Sequence, residues 1–132
     1  MWSLWNFSTL GIAIMKRIRN LYFHGDRTQK RVALTFDDGP AEETEELLKI
    51  LKKEKVKATF FILGKRILER EKIIRRMIKD GHELGNHSYN HKRLWFKSLR
   101  TIGEDIQRCD GELWKKFKIK KSMHHHTLKC VV

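Results

Sequence analysis

This sequence contains little proline and cysteine, and it has no long hydrophobic run. Its only proline is Pro40, and its eight glycines are scattered, which excludes a proline- or glycine-rich linker between domains. We also find no internal repeat. Cys109 and Cys130 form no Cys-x-x-Cys pair, so reduced thiols are expected. A chain of 132 residues that is 40% hydrophobic and 34% charged is typical of one modest globular domain.

Acidic residues are the scarcer charged class. The chain has 29 lysines and arginines against 16 aspartates and glutamates, a formal net charge of +13. That excess would suit nucleic acid, an anionic membrane surface or an acidic cell-wall polymer. However, no aromatic residues interleave with the basic runs, as a platform for stacked bases requires. We therefore predict a solvated, lysine-rich helix surface and no nucleic-acid partner.

The N-terminal segment combines an apolar stretch with a basic one. Residues 1–15 are mostly apolar but are too few for a comfortable membrane span. Lys16, Arg17 and Arg19 follow this stretch, which is the reverse of the order in a secretory signal. We interpret residues 1–24 as a frayed or partly buried leader, with a weak N-terminal anchor as the alternative. This pattern predicts no stable membrane span and leaves both localisation and oligomeric state open.

Strand-like and helix-like segments alternate from residue 31 onwards. The segments with a β-prone, apolar pattern are 31–36, 58–63 and a shorter one at 83–86. The segments with helical spacing of apolar residues are 41–55, 65–79 and 98–117. This alternation predicts an α/β fold with parallel strands, in which functional residues collect at the carboxyl ends of the strands.

Two adjacent carboxylates, Asp37 and Asp38, follow the first predicted strand. Adjacent acids repel each other, and a metal ion is the usual source of compensating positive charge. The alternative interpretation is an ordinary turn in which Asp38 caps the next helix.

Two imidazoles, His87 and His91, follow the third predicted strand at a spacing of four. On one helical turn they would share a face and could hold one cation, although exposed loop histidines are the alternative. Together with Asp38 they supply one oxygen and two nitrogen ligands, which leaves positions open for water and substrate as in catalytic zinc sites. Asp37, outside that set, can accept a proton from bound water. We interpret His82 as a surface or packing residue.

These motifs resemble the polysaccharide deacetylase family, carbohydrate esterase family four, which includes chitin, chitooligosaccharide and peptidoglycan deacetylases. The segment 35–40, Thr-Phe-Asp-Asp-Gly-Pro, matches the first motif of that family. The segment 87–91, His-Ser-Tyr-Asn-His, matches the second. The segments 58–64 and 81–87 are also similar to the family, and the resemblance covers about residues 25–120.

The resemblance implies a distorted (β/α) barrel that removes N-acetyl groups from an N-acetylglucosamine-containing polysaccharide, chitin-like or peptidoglycan. It implies that Asp37 is the catalytic base and that Asp38, His87 and His91 bind Zn²⁺ or another divalent ion such as Co²⁺. It also implies that Ser88 holds the second-motif loop in shape. The family is often extracytoplasmic or associated with the cell wall.

The later motifs of the family are not found in this sequence. The third motif, an Arg-x-Pro-aromatic segment that orients the base, has no counterpart, and neither does the histidine that acts as general acid. A complete barrel needs about 200 residues or more. The resemblance therefore implies a partial domain at 25–120, truncated after about the third βα unit, with weak or no activity.

Residues 121–132 continue no family pattern, so we expect an unstructured tail and do not assign its three consecutive histidines as ligands. Two other functions stay open for the chain. It could be a metal- or glycan-binding fragment without turnover, or a basic protein that binds nucleic acid or a membrane surface. Bound zinc would separate the first from the second.

We predict that the tail after about Lys120 is out of frame, with a genuine short protein that has an arbitrary tail as the alternative. Residues 124–127, His-His-His-Thr, can be encoded by codons that read Pro-Pro-Tyr in a shifted frame, which is the core of the missing third motif. In that shifted frame, the codon of Met123 contributes to an alanine codon just before Pro-Pro-Tyr, where the family motif has arginine. Sequencing the gene should show that the shifted frame continues into a Leu-x-x-His-type acid motif. An early stop codon in that frame would contradict the prediction.

Overall fold

The computed structural model describes residues 28, 30, 32–92 and 97–119, together with the backbone of Met123 and His124. The chain divides into two compact units, and every helix and strand given below belongs to one of them, Val32–Thr127. Our predictions for the leader 1–24 and for the tail beyond residue 124 lie outside the described residues. No helix among the described residues is long and apolar enough to cross a membrane.

The strands form one parallel sheet, in which each strand pairs with its neighbour in sequence order. They are β1 (Thr35–Gly39), β2 (Thr59–Ile62), β3 (Glu83–Asn86) and β4 (Met123–His124). Because all carboxyl ends of parallel strands lie at one edge, the segments that leave β1 and β3 meet there. The predicted α/β class with parallel strands is confirmed.

Helices connect the strands. They are α1 (Thr44–Lys53), a 3₁₀ helix (Gly64–Arg66), α2 (Glu71–Lys79) and α3 (Leu99–Phe117). Acidic residues occupy the first turn of α1 and basic residues its last turn, which is the favourable order for the helix dipole. Ser98 caps α3, since its hydroxyl accepts a hydrogen bond from the Thr101 N–H at 3.1 Å.

The core lies between β2 and the helices. The apolar residues of β2 are buried on both faces of the sheet, as its continuous hydrophobic run predicts: Phe60, Phe61 and Ile62. Burial, reinforced by the charges of Asp110 and Asp105, raises the pKa of the Cys109 thiol to about 12. This thiol is therefore protonated and unreactive at neutral pH.

The bounds of three elements differ from the predictions by more than one residue. The helix predicted over 41–55 is the shorter α1, Thr44–Lys53. The first strand is Thr35–Gly39 instead of residues 31–36, because pairing with β2 begins only at Thr35. The helix predicted over 65–79 is divided into the 3₁₀ helix and α2. The reason is that the N–H groups of Gly64 and Lys65 bind the carbonyls of Ser88 and Tyr89, at 3.0 and 3.1 Å, so this turn is tied to another loop.

The tail differs from our expectation at two residues. We expected residues 121–132 to be unstructured, but Met123 and His124 pair in parallel with Gly85 and Asn86 of β3. Without β4, the outer edge of β3 would present unpaired N–H and C=O groups. The chain returns to that edge after α3, and Met123 and His124 pair with these groups. The assignment of residues 123–124 to an unstructured tail is therefore wrong.

His82 is a packing residue and not a surface one. It is 7% exposed, its Nδ1 accepts a hydrogen bond from the Ala58 N–H at 3.2 Å, and its ring meets Phe60 edge-on. Burial, and secondarily the positive charge of Lys57, lower the pKa of His82, while Asp80 acts in the opposite direction. The folded protein therefore keeps this imidazole neutral.

We predict a pH-dependent contribution of His82 to stability. Above the ordinary histidine pKa of 6.5, both the folded and the unfolded chain hold a neutral imidazole. Below it, the unfolded chain binds a proton that the folded chain resists, so the free energy of unfolding falls. Urea unfolding at about pH 7.5 and 5.5 should show a smaller loss for His82→Asn than for the wild type. Equal losses would contradict the prediction.

Candidate metal centre

Three of the predicted site residues converge at the carboxyl edge of the sheet. Asp38 lies near the end of β1, His87 follows β3 directly, and His91 follows four residues later. Asp38 Oδ1 lies 3.2 Å from His87 Nε2 and 3.0 Å from His91 Nε2. The three candidate ligand atoms all lie within 4.8 Å of one another. The parallel sheet thus brings together side chains that are far apart in the sequence.

This arrangement fits a divalent cation. Two ligands bonded at about 2.0–2.1 Å to one tetrahedral zinc ion lie about 3.3–3.4 Å apart, close to the distances from Asp38 Oδ1 to the two imidazole nitrogens, 3.2 and 3.0 Å. One carboxylate oxygen and two imidazole nitrogens are also a donor set that zinc uses. His87 is buried, whereas the side chains of Asp38 and His91 are 54% and 42% exposed. The cluster therefore has one fixed member and an open side that a substrate could approach.

Asp37 stands next to this cluster in the chain but is not one of its three members. Its side chain is exposed, and it precedes Asp38 within β1. Its role as a catalytic base stays a prediction.

The backbone at the cluster adopts costly conformations. Asp38, Ser88 and His91 have φ angles of 61°, 69° and 56°, in the left-handed region that side chains other than glycine rarely occupy. Each such residue costs about 1–3 kcal/mol and persists only where surrounding contacts enforce it. The sequence contains no glycine at these positions and therefore did not reveal this strain.

Side-chain hydrogen bonds within the second-motif loop enforce part of this geometry. The Ser88 hydroxyl accepts a hydrogen bond from the His91 N–H at 3.0 Å, as expected of a residue that holds the loop in shape. The Ser88 N–H donates in turn to Asn86 Oδ1 at 2.7 Å. The Asn86 amide nitrogen donates to the Ile106 carbonyl and to Asp110, which links the loop to α3.

Asp105 in α3 supports the same loop, and our sequence analysis missed it. Its carboxylate accepts hydrogen bonds from the Tyr89 and Asn90 N–H groups and from the Asn90 side chain. Burial raises the pKa of Asp105, but these hydrogen bonds outweigh it, so its pKa lies below the ordinary value. Asp105 lies four residues before the buried Cys109 and therefore on the inner face of α3. An acidic residue on that face was the sequence feature that could have revealed its role.

Arg66 supports the first-motif segment. Its guanidinium donates to the backbone carbonyl of Asp38 at 2.8 Å and to that of Pro40 at 3.3 Å. No pattern in the sequence distinguishes this arginine from the many other basic residues. Only the tertiary structure shows that it holds the carbonyl of a left-handed residue.

Comparisons with known proteins point to one family. The sequence model of a family described as polysaccharide deacetylase matches residues 24–126. The peptidoglycan-N-acetylglucosamine deacetylase PgdA of Listeria monocytogenes is 41% identical over 81 residues, which is 61% of this chain and 17% of the relative. The peptidoglycan-N-acetylmuramic acid deacetylase PdaC of Bacillus subtilis is 50% identical over 82 residues, 61% of this chain and 18% of the relative.

The fold is also similar to solved structures. A mutant of the peptidoglycan deacetylase PdaC from Bacillus subtilis superposes with a TM-score of 0.69 and 37% identity, over 76% of this chain and 50% of that one. Our prediction of part of a (β/α) barrel is therefore confirmed. The chain spans less than a fifth of the two curated relatives and half of this structure.

Gly64 leaves room for the second-motif loop. A Cβ atom built there would lie 2.3 Å from Tyr89 Cδ2 and 3.0 Å from Tyr89 Cα, so the loop would have to move. We predict that Gly64→Ala lowers the free energy of unfolding by about 1–3 kcal/mol, the usual cost of overpacking. Urea denaturation monitored by circular dichroism measures this change.

Gly111→Ala is the matched control for Gly64→Ala. A Cβ atom at this helical position in α3 has nothing within 4 Å, and alanine favours a helix by about 1 kcal/mol over glycine. The control should therefore be neutral or stabilising. If both variants behave alike, the close approach of Tyr89 to Gly64 does not matter for stability.

Proposed function

This chain belongs to the polysaccharide deacetylase family, and on that premise we propose that it forms the metal-binding part of an N-deacetylase acting on an amino-sugar polymer. The observation that carries the proposal is the approach of Asp38 Oδ1 to His87 Nε2 and His91 Nε2, at 3.2 and 3.0 Å. The proposal supposes that these side chains bind one Zn²⁺ ion or a similar divalent ion such as Co²⁺. Such an ion would polarise the acetamide carbonyl and lower the pKa of water at the site to about 7.

The residues of the chain have distinct tasks in this proposal. His87 is buried, and its backbone N–H donates a hydrogen bond to the Ile62 carbonyl. It therefore gives the site a rigid ligand. Asp38 and His91 complete the ligand set at the exposed side, where the substrate arrives. Asp37 accepts the proton of the attacking water, since it directly precedes Asp38 in the chain and its side chain is exposed.

The substrate that we propose is an N-acetylglucosamine-containing polysaccharide of the peptidoglycan type. Support comes from the relatives, whose names describe peptidoglycan-N-acetylglucosamine and peptidoglycan-N-acetylmuramic acid deacetylases. The net charge of +13 would also favour an anionic cell-wall polymer. We expect slow turnover by the 132-residue chain itself, because its sequence lacks the third-motif arginine and the acid histidine.

Metal binding tests the proposal without depending on turnover. We predict that the metal-free chain binds one Co²⁺ or Zn²⁺ ion through Asp38, His87 and His91. His87→Ala should weaken binding by at least about 100-fold, since even partners behind a ligand are worth about 10–100-fold in affinity. Calorimetric titration and the visible absorption of Co²⁺ measure this effect.

Two controls make the titration specific. His82→Asn removes a buried histidine outside the cluster and should leave metal affinity unchanged. The second control replaces His124, His125 and His126 together by alanine, which removes the other group of neighbouring histidines in the sequence. If this triple variant loses the ion and His87→Ala keeps it, the proposed metal centre is wrong.

A further inference from the structure

The N–H groups of the second-motif loop point to one carboxylate on α3. Asp105 Oδ2 accepts from the Tyr89 N–H at 2.9 Å and from the Asn90 N–H at 3.3 Å. Its other oxygen, Oδ1, accepts from the Asn90 side-chain amide at 2.6 Å. Both oxygens of one acid are thus used on two consecutive loop residues. Hydrogen bonds to a charged acceptor are stronger than neutral ones, so this contact restrains the loop.

The two histidines depend on that loop to different degrees. The N–H of His87 bonds to the Ile62 carbonyl at 3.0 Å and its side chain is buried, so the sheet holds it. His91 lies at the far end of the loop and its side chain is 42% exposed. Between them the chain passes through Ser88 and reaches His91, both in left-handed conformations. The place of His91 is therefore set mainly by the loop conformation.

We propose that Asp105 is a positioning residue for His91. By binding the N–H groups of Tyr89 and Asn90, it holds the segment between the two left-handed residues and so directs the His91 imidazole towards Asp38 and His87. Asp105 is not a member of the three-residue cluster. It acts on the loop through its hydrogen bonds to the Tyr89 and Asn90 N–H groups and to the Asn90 side chain. This inference rests on the metal site that we proposed above.

Anchoring of α3 does not depend on Asp105. The helix is also joined to β3 by the hydrogen bonds of Asn86 to the Ile106 carbonyl and to Asp110, at 2.9 and 2.8 Å. Cys109 and Leu113 are fully buried in the core. Loss of the Asp105 carboxylate should therefore release the loop while the helix stays packed. A purely structural role would instead reduce the stability of the whole domain.

The test compares three variants of the full chain in a Co²⁺ titration. Asp105→Ala removes both acceptors and should weaken binding about 10- to 100-fold, the usual effect of losing a partner behind a metal ligand. Asp105→Asn keeps one acceptor oxygen and should give an intermediate affinity. Glu104→Ala is the matched control, because this neighbouring acid pairs only with Arg100 among the described residues, at an exposed surface. Its affinity should equal that of the wild type.

A second measurement reads the loop without metal. Hydrogen exchange of the Tyr89 and Asn90 amides should be slow in the wild type and in Glu104→Ala, and faster in Asp105→Ala and Asp105→Asn. The amides of β2 should keep their protection in every variant, which shows that the fold is intact. If Asp105→Ala does not fold, Asp105→Asn carries both measurements.

The outcomes separate this inference from the proposed function. Weaker metal binding together with faster loop exchange in the Asp105 variants supports the positioning role. If the wild type binds the ion and the Asp105 variants bind it equally well, the inference is overturned while the proposed function stands. If the wild type binds no ion, the proposed function fails and the inference falls with it, however slowly the loop amides exchange.

Discussion

The parallel pairing of β1, β2 and β3 is the constraint on which the candidate site depends. Because β2 pairs with both neighbours in the same direction, the carboxyl ends of β1 and β3 lie at one edge of the sheet. The register shifts between Phe36 and Gly39, at the point where Asp38 leaves the regular ladder with a positive φ. Burial of β2 on both faces makes this pairing costly to disturb, so the site inherits the rigidity of the core.

Polar side chains from outside the two motifs hold in place the segments that carry Asp38, His87 and His91. Arg66 holds the carbonyl of Asp38, Asp105 holds the N–H groups of the second-motif loop, and Asn86 joins that loop to α3. Polar contacts of this kind stabilise a structure only when both partners are in place. These contacts offset the backbone strain at the cluster, and they help to keep the buried His87 close to the exposed side chains of Asp38 and His91.

Much of the fold and the predicted ligands could be recognised from sequence patterns. The strand at Glu83–Asn86 and the helix at Leu99–Phe117 agree with prediction to within a residue, because apolar spacing reports burial directly. Asp38 and His87 were predicted because they lie at the ends of predicted strands, where parallel topology collects functional groups. His91 was predicted from its spacing of four from His87. The division of the second helix was not predicted, because its cause is a pair of hydrogen bonds to a loop distant in sequence.

The sequence by itself determined the order of strands and helices, which follows from local periodicity and needs no long-range information. Its two motifs determined the family by resemblance, and they predict Asp38, His87 and His91 as metal ligands. Only the tertiary structure decided that His82 is buried, that Met123 and His124 extend the sheet, and that Asp105 supports the loop carrying His91. Each of these features depends on which segments meet in space. A contact between residues that are distant in sequence leaves no periodic pattern in either of the two segments that make it.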